Sequence, residues 1–207
     1  MALIITIGRE FGSGGRELGR RIADILGIAY YDKEILLEME KNTPYCLEYI
    51  EQVSEQKPVP LLPIHYGVTF SMLGNPQLDQ SIEIFSSKTK VLKELAEKSS
   101  CVIIGRCADD ILKDYHPTRV FVYADMASKI ERCKERAVAG EKTDDKSLTK
   151  KIKSIDKNRS KYYEFYTGKK WGDKENYDIM VNTSGRSIKE LAEGIASYLK
   201  CQKDLVK

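Results

Sequence analysis

The stretch that decides the fold lies near the N-terminus, where residues 3–26 read LIITIGREFGSGGRELGRRIADIL. The β-branched run at 3–7 predicts a strand, and the four glycines within 8–15 predict a loop. Residues 16–26 predict a helix that ends at Gly27, because apolar side chains recur at helical spacing at Leu18, Ile22, Ile25 and Leu26. In such a loop the backbone N–H groups can turn toward an anion, and the helix N-terminus adds a partial positive charge. Strand, glycine loop and helix in this order predict a phosphate-binding site.

This loop departs from the usual phosphate-loop pattern, GxxxxGK followed by Ser or Thr. If Gly14 is the second glycine of the pattern, Arg9 occupies the first-glycine position, Gly15 the lysine position and Arg16 the position after it. An arginine can bind phosphate with two hydrogen bonds, so Arg16 is the nearest replacement for the lysine. The carboxylate of Glu17, which follows, could hold magnesium. We therefore expect the nucleotide to be bound by Gly12, Ser13, Gly14, Gly15, Arg16 and Glu17.

Strand and helix patterns alternate along the rest of the chain. Strands are predicted at 28–31, 102–104, 119–123 and 177–181, and helices at 33–41, 44–53, 78–98, 108–112, 128–137, 148–166 and 187–199. The alternation predicts a single α/β domain over 1–207 whose parallel sheet is covered by helices on both faces. Ligands of such sheets lie beyond the carboxyl ends of the strands. Those ends carry the glycine loop, Asp32, Gly105 with Arg106, and Ala124 with Asp125.

Composition argues against several classes of protein. No stretch approaches the roughly 18–20 apolar residues of a membrane-spanning helix. Residues 1–7 lack the basic start of an export signal. Five cysteines without CxxC spacing and two histidines disfavour a structural zinc site and suit reduced thiols. We expect a cytoplasmic protein without membrane contact.

Positive charge is concentrated in residues 129–174, where 15 Lys and Arg stand against eight Asp and Glu, a net charge of +7 in a chain of net charge +3. A local basic field suits a polyanionic ligand such as a nucleotide or a nucleic acid. A solvated helix face has the same composition. Nucleic-acid binding is the weaker reading, because the chain contains no recognisable binding motif and the glycine loop would be left without a role.

Four segments together resemble the cytidylate kinase-like proteins of the nucleoside monophosphate kinase group. They are GREFGSGGRE at 8–17, IIGRCAD at 103–109, the segment 156–172, which begins with DKNR and ends with Trp171-Gly172, and the segment 177–184. The resemblance implies a P-loop NTPase fold, a three-layer αβα sandwich with a five-stranded parallel sheet and a helical lid. It also implies transfer of the γ-phosphate of ATP, with Mg²⁺, to a nucleoside monophosphate, above all CMP or dCMP. Residues 33–98 would form a helical insertion on the acceptor side and 129–174 the basic, lid-like segment.

The same resemblance suggests roles for individual arginines. Arg106 matches the arginine that holds the acceptor's phosphate, and Asp32 and Asp109 would lie beside it. Arg132 and Arg136 resemble the arginines that open the lid, and Arg159 resembles the one that returns from it. With Arg16, these four arginines are the expected catalytic residues. Asp109 and Asp125 could orient these arginines or magnesium, and they are equally suited to capping the helices that follow them.

Two features keep other functions open. Lys33-Glu34-Ile35-Leu36 follows Asp32 where bacterial cytidylate kinases have a Ser-Gly-Ala-Met-Tyr-Arg run, so a kinase for a different small acceptor is an alternative. Gly15 in the lysine position allows a nucleotide-binding regulator with little catalysis.

Overall fold

Within residues 2–55, 76–137 and 143–205, which the computed structural model describes, five strands form one parallel sheet. The strands are β1 (Ile4–Arg9), β2 (Ala29–Tyr31), β3 (Cys101–Ile104), β4 (Thr118–Tyr123) and β5 (Ile179–Asn182). Their order across the sheet is β2-β3-β1-β4-β5. The predicted fold class, a three-layer α/β sandwich on a five-stranded parallel sheet, is confirmed.

Eight helices connect and cover the strands in the described ranges. They are α1 (Gly15–Leu26), α2 (Glu34–Lys41), α3 (Leu47–Glu55), α4 (Pro76–Lys98), α5 (Ala108–Ile111), α6 (Met126–Glu135), α7 (Asp145–Thr167) and α8 (Ile188–Leu205). Short 3-10 turns lie at Lys113–Tyr115 and Lys174–Asn176. Part of the predicted acceptor-side insertion (56–75) and part of the predicted lid (138–142) lie outside the described residues. No helix in the described ranges combines the length and the apolar character that crossing a membrane requires.

One face of the sheet is covered by α1 and α8. The side chains of Ile5 and Ile7 point to this face and pack on Leu18 and Ile22 of α1. Gly19 lets α1 approach closely, because a Cβ there would overlap the side chain of Ile104. Ile25, which the sequence pattern groups with Leu18 and Ile22 on one apolar face, is 39% exposed, and Ala23 is buried on the helix instead.

The other face is covered by α2, α4, α5 and α7. Ile4, Cys101 and Ile103 point this way and form a core with residues of α2, α3, α4 and α5. Tyr162 and Tyr163 of α7 pack beside it, on Cys107.

The strand order places the glycine loop at the centre of one edge of the sheet. β1 lies between β3 and β4, so the segments after all three strands meet there. The amide N–H of Gly105 donates to Ile7 O at 2.9 Å, and that of Glu10 donates to Val122 O at 3.0 Å. Arg106 and Ala124 are thereby placed on either side of the loop.

Candidate active site

The loop between β1 and α1 has the backbone geometry of an anion-binding turn. Gly12 and Gly14 adopt φ angles of +76° and +79°, which residues with side chains rarely adopt. Two loop carbonyls are bound by neighbours: Gly12 O accepts from Arg132 Nη1 at 3.4 Å, and Ser13 O accepts from Thr183 Oγ1 at 2.7 Å. Within the described residues, no acceptor is found for the amide N–H groups of Gly12, Gly14, Gly15 and Arg16. These N–H groups are available to an anion.

A buried ion cluster holds the loop in place. Lys129 of α6 is 5% exposed, and its Nζ lies 2.7 Å from Glu10 Oε2 and 3.3 Å from Asp156 Oδ2. Asp156 Oδ1 accepts the amide N–H of Phe11 at 2.7 Å. Burial raises the pKa of Asp156, although that hydrogen bond and Lys129 act in the opposite direction. The backbone of Lys129 also lies against Gly12, where a Cβ would stand 3.0 Å from Lys129 O. Lys129 therefore supports the loop through these contacts.

A cleft of about 390 Å³ opens beside the loop and is bounded by α6 and α7. Among the described residues that line it, seven are cationic and two, Glu10 and Glu51, are acidic. The cationic residues are Arg9, Arg16, Lys33, Arg132, Arg136, Lys151 and Arg159. Such an excess of one charge in a concave site concentrates ligands of the opposite charge. The volume also lies in the range of small-molecule sites.

Arg16 lies at the edge of this cleft, but its guanidinium is engaged by Asp32. Arg16 Nε forms an ion pair with Asp32 Oδ2, and the arginine side chain is 53% exposed. Asp32 is buried at the end of β2, and its Oδ1 has no hydrogen-bond partner within the described residues. The two predicted site residues are thus brought together, with Arg16 bound to a protein carboxylate.

Glu17, the predicted metal ligand, does not line the cleft. Its Oε1 accepts from Arg21 Nε at 3.0 Å, and its Oε2 forms an ion pair with Arg136 Nη2. Both oxygens are therefore occupied by arginines, and Glu17 connects α1 to the end of α6. Arg132 lies nearby and donates to the carbonyl groups of Gly12 and Thr183.

A second, narrower cavity adjoins the cleft, and Arg9 and Arg159 line both. Arg159 Nη1 donates to Arg9 O at 3.4 Å, and its guanidinium lies 5.7 Å from the ring centre of Phe11. Arg106 also lines this second cavity and adopts a left-handed backbone conformation, with φ +63°. It is only 9% exposed, and its Nε has no hydrogen-bond partner within the described residues. Three arginines thus converge where the two cavities meet.

The second cavity also contains a buried carboxylate. Asp109 Oδ2 accepts from Tyr163 Oη at 2.6 Å. Burial raises the pKa of Asp109, and the hydrogen bond from Tyr163 opposes this. Four aromatic side chains also line this cavity: Tyr162, Tyr163, Trp171 and Tyr177. Asp125, by contrast, caps α6 through an Oδ1 that accepts from Ser128 N at 2.7 Å.

Behind the second cavity, Lys88 of α4 is fully buried. Its Nζ donates to Tyr162 Oη at 2.6 Å and lies 4.1 Å from the ring centre of Phe85. The rings of Tyr162 and Tyr166 are also near, at 4.6 and 5.4 Å from Nζ. Burial lowers the pKa of Lys88 to about 8. Aromatic rings offset part of the cost of burying this charge.

Four residues of this region were not predicted as site residues: Arg9, Lys88, Lys129 and Asp156. Spacing offered a signal for two of them. Lys129 precedes Arg132 by three residues, and Asp156 precedes Arg159 by three, so each pair shares one side of its helix. Together, the loop N–H groups and the convergent arginines can bind two anionic groups side by side and neutralise charge that develops between them.

Residues 4–185 match the sequence profile of the cytidylate kinase-like family. A cytidylate kinase from Thermosipho melanesiensis is 24% identical over 213 residues, which cover 95% of this chain and 96% of that protein. The match includes every residue of the loop and both cavities. The resemblance seen in the four sequence segments is confirmed.

Solved structures share the fold over nearly the whole chain. A crystal structure of an uncharacterized protein from Eubacterium ventriosum superposes with a TM-score of 0.66 at 29% identity, covering 96% of this chain and 98% of that one. Shikimate kinase from Acinetobacter baumannii, in complex with shikimate, superposes with a TM-score of 0.53 at 18% identity, covering 98% and 95%. The second likeness is one of fold alone.

Proposed function

This chain belongs to the cytidylate kinase-like family, and on that premise we propose that it transfers the γ-phosphate of ATP to a nucleoside monophosphate, with CMP and dCMP as the preferred acceptors. One observation carries the proposal. Arg9 and Arg159 line both the cleft beside the glycine loop and the cavity that holds Arg106. Two anion sites that share guanidinium groups suit an in-line transfer between two phosphates.

Phosphoryl transfer requires little covalent chemistry from the protein. The bond between the γ-phosphorus and the β,γ-bridging oxygen breaks, and that oxygen leaves with the electron pair on ADP. A phosphate oxygen of the acceptor forms the new bond, and since it is already ionised, no proton has to be removed. Catalysis then consists of holding both phosphates in line and neutralising the transferred group.

The residues divide this work by position. The N–H groups of the loop would hold the donor phosphates, and Arg106 would hold the acceptor phosphate. Arg159, at the junction, would neutralise charge between them. Arg132 and Arg136 would act as positioning residues, the first through the carbonyl of Gly12 and the second through Glu17.

Magnesium would enter the site with ATP and neutralise part of the phosphate charge. Mg²⁺ is usually held by phosphate oxygens, water and one or two carboxylates. Within the described residues no group of three metal-ligating side chains occurs, and both oxygens of Glu17 are bound to arginines. The site therefore suits a metal carried by the nucleotide, and Glu17 does not fit as its direct ligand.

Two observations support a pyrimidine monophosphate as acceptor. The relative from Thermosipho melanesiensis, named cytidylate kinase, is similar over 95% of this chain. The cavity of Arg106 also has four aromatic side chains in its wall, which suit a planar base as well as a sugar.

Asp109 favours a second candidate, a kinase for a hydroxyl-bearing acceptor. A hydroxyl group must lose its proton during transfer, and a carboxylate beside it can take that proton. Asp109 is buried in the cavity of Arg106 and is oriented by Tyr163. An acceptor phosphate would need no such base.

Initial rates of transfer from ATP with Mg²⁺ separate the two candidates when measured across the ribo- and deoxyribonucleoside monophosphates, shikimate and gluconate. The proposal predicts turnover with CMP and dCMP and only a modest effect of Asp109→Asn. Turnover confined to a hydroxyl acceptor, and lost in Asp109→Asn, would select the second candidate. Turnover with no acceptor would count against both.

A further inference from the structure

The two departures from the usual loop pattern, at positions 9 and 15, touch each other. Gly15 stands where the pattern has lysine, and a Cβ on it would lie 2.6 Å from Arg9 Cβ and 3.2 Å from Arg9 Cγ. Gly15 does not have a positive φ angle, so its backbone does not require glycine. Arg9 makes the closest of these contacts, and Val122 Cβ also lies 3.2 Å from the position of that Cβ. Conversely, the arginine fits at position 9 because position 15 is empty.

The side chain of Arg9 runs from Gly15 toward the junction of the two cavities. A methyl group on Gly105 would overlap the Arg9 guanidinium, so this group lies directly over the backbone that precedes Arg106. Within the described residues, Arg9 has no carboxylate or other side-chain acceptor for its guanidinium. Burial, followed by the nearby charges of Arg159 and Arg106, lowers the pKa of Arg9 to about 9. Asp32 acts in the opposite direction on that pKa, but its Oδ2 is already paired with Arg16. A buried Arg9 guanidinium with no carboxylate bound to it within the described residues favours an anion at this junction.

Other cations beside the loop already have protein partners. Arg16 is paired with Asp32, Arg136 with Glu17, and Lys129 with Glu10 and Asp156. Arg132 donates to two backbone carbonyls. The lysine of the usual pattern reaches the β- and γ-phosphates, and none of these four side chains is placed to do so without giving up a contact.

We propose that Arg9, which stands at the first-glycine position, performs the role of the lysine in the usual loop, while Gly15 stands at the lysine position without a side chain. Arg9 is then the catalytic cation on the transferred phosphoryl group. The inference rests on the proposed phosphoryl transfer and identifies the residue that replaces the missing lysine. Arg9 approaches from the end of β1, whereas the lysine would approach from the start of α1. Its planar group can bind two oxygens at once, between the donor at the loop and the acceptor at Arg106.

The first test removes the charge and keeps the bulk, in Arg9→Met. ATP affinity, measured by calorimetry, should fall roughly 10- to 100-fold, as expected for charged hydrogen bonds. The midpoint of thermal unfolding without ligand should rise by at least about 2 °C, because an unpaired buried charge is removed. A residue with a merely structural role would lower that midpoint.

A matched control lies at the start of β4. Arg119 Nη2 pairs with Asp178 Oδ1 at 2.7 Å, and Arg119 lines neither cavity. Arg119→Met should leave ATP affinity unchanged and should not raise the unfolding midpoint.

The second test restores the first glycine and the lysine of the usual pattern in the double variant R9G/G15K, beside each single variant, and leaves Arg16 in the Ser or Thr position. R9G should bind ATP weakly, and G15K should be destabilised by the contact with Arg9. The double variant should bind ATP at least tenfold more tightly than R9G, since the closest contact at position 15 is removed and the lysine supplies the missing cation. If the double variant does not fold, as judged by circular dichroism, the ATP affinity and the unfolding midpoint of Arg9→Met are the test of the proposal.

The outcomes separate this proposal from the proposed function. ATP affinity unchanged in Arg9→Met, or a folded double variant no tighter than R9G, would overturn the role of Arg9 even if the wild type transfers phosphate. A wild type that turns over no acceptor, while Arg9→Met still loses ATP affinity, would overturn the transfer reaction and keep Arg9 as the phosphate contact. A wild type that does not bind ATP would overturn both.

Discussion

The two faces of the sheet bury different chemistry. On the face covered by α1 and α8, the buried cluster consists of Ile, Leu, Val and Ala side chains. The other face has an apolar cluster as well, but beside it Lys88, Arg106 and Asp109 are buried together with tyrosine hydroxyl groups. Burying charge without a full set of partners costs free energy that an apolar core would avoid. The difference indicates that the first face serves stability, and that the second gives up stability to bind charged ligands.

Removing the guanidinium of Arg106 should have the largest effect on activity of the changes considered. If activity is retained, the distinction between the two faces is wrong. In Arg106→Met the rate of phosphoryl transfer should fall by roughly 10³-fold or more, as for other arginines that clamp phosphoryl groups. The free energy of unfolding should not fall, because the buried Nε has no partner within the described residues. Steady-state kinetics and urea denaturation on the same preparation measure the two quantities. Lost stability with retained transfer would mean that Arg106 is part of the core.

A substitution on the apolar face should behave in the opposite way. Ile22→Ala should lower the free energy of unfolding by about 2–5 kcal/mol, since the side chain is fully buried. Ile25→Ala, on the same helix but with a side chain 39% exposed, is the control and should cost at most about 1 kcal/mol. Neither variant should change transfer rates at temperatures where both are folded. A specific loss of activity in Ile22→Ala would remove the distinction between the faces.

Lys88 provides a pH-dependent test of the polar face. Its folded pKa, about 8, lies below the ordinary 10.5, so between these values the unfolded chain binds a proton that the folded chain has released. The contribution of Lys88 to the free energy of unfolding therefore rises with pH between about 8 and 10.5. The stability of Lys88→Met relative to wild type should accordingly fall by about 3 kcal/mol from below pH 8 to above pH 10.5.

Lys90→Met, two residues along the same helix and largely exposed, is the control for this titration. Its stability relative to wild type should stay constant over the same pH range. Denaturant titrations at several pH values measure both differences. A constant difference for Lys88→Met as well would mean that Lys88 keeps an ordinary affinity for protons.

The apolar face was largely predictable from sequence, because periodicity and burial coincide there. The strand at β1, the glycine loop and α1 were placed within one or two residues of their bounds, although Ile25, which the pattern groups with the apolar face, is exposed. Arg106 and Arg159 were predicted as site residues through the family resemblance, and both line the second cavity. Arg106 follows β3 directly, so its position along the chain places it at the same end of the sheet as the loop. Arg159 lies within α7, and its position along the chain does not place it there.

The remaining part of the site depends on contacts that have no signature along the chain. Glu17 was predicted to hold magnesium, but Arg136, 119 positions away, binds its carboxylate. Lys129 was counted as one charge of a basic segment, although it is buried among acids. Arg9 occupies a glycine position in the usual pattern, and its importance emerges only from its contact with Gly15. These interactions join distant segments, and residue spacing cannot reveal them.

A crystal structure with Mg²⁺ and a non-hydrolysable ATP analogue would test the central claim most directly. The predicted result is a γ-phosphate bound between Arg9, Arg106 and Arg159, with the preceding phosphates on the N–H groups of the glycine loop. A γ-phosphate held by Arg16 instead, with the Arg9 guanidinium turned away, would contradict it.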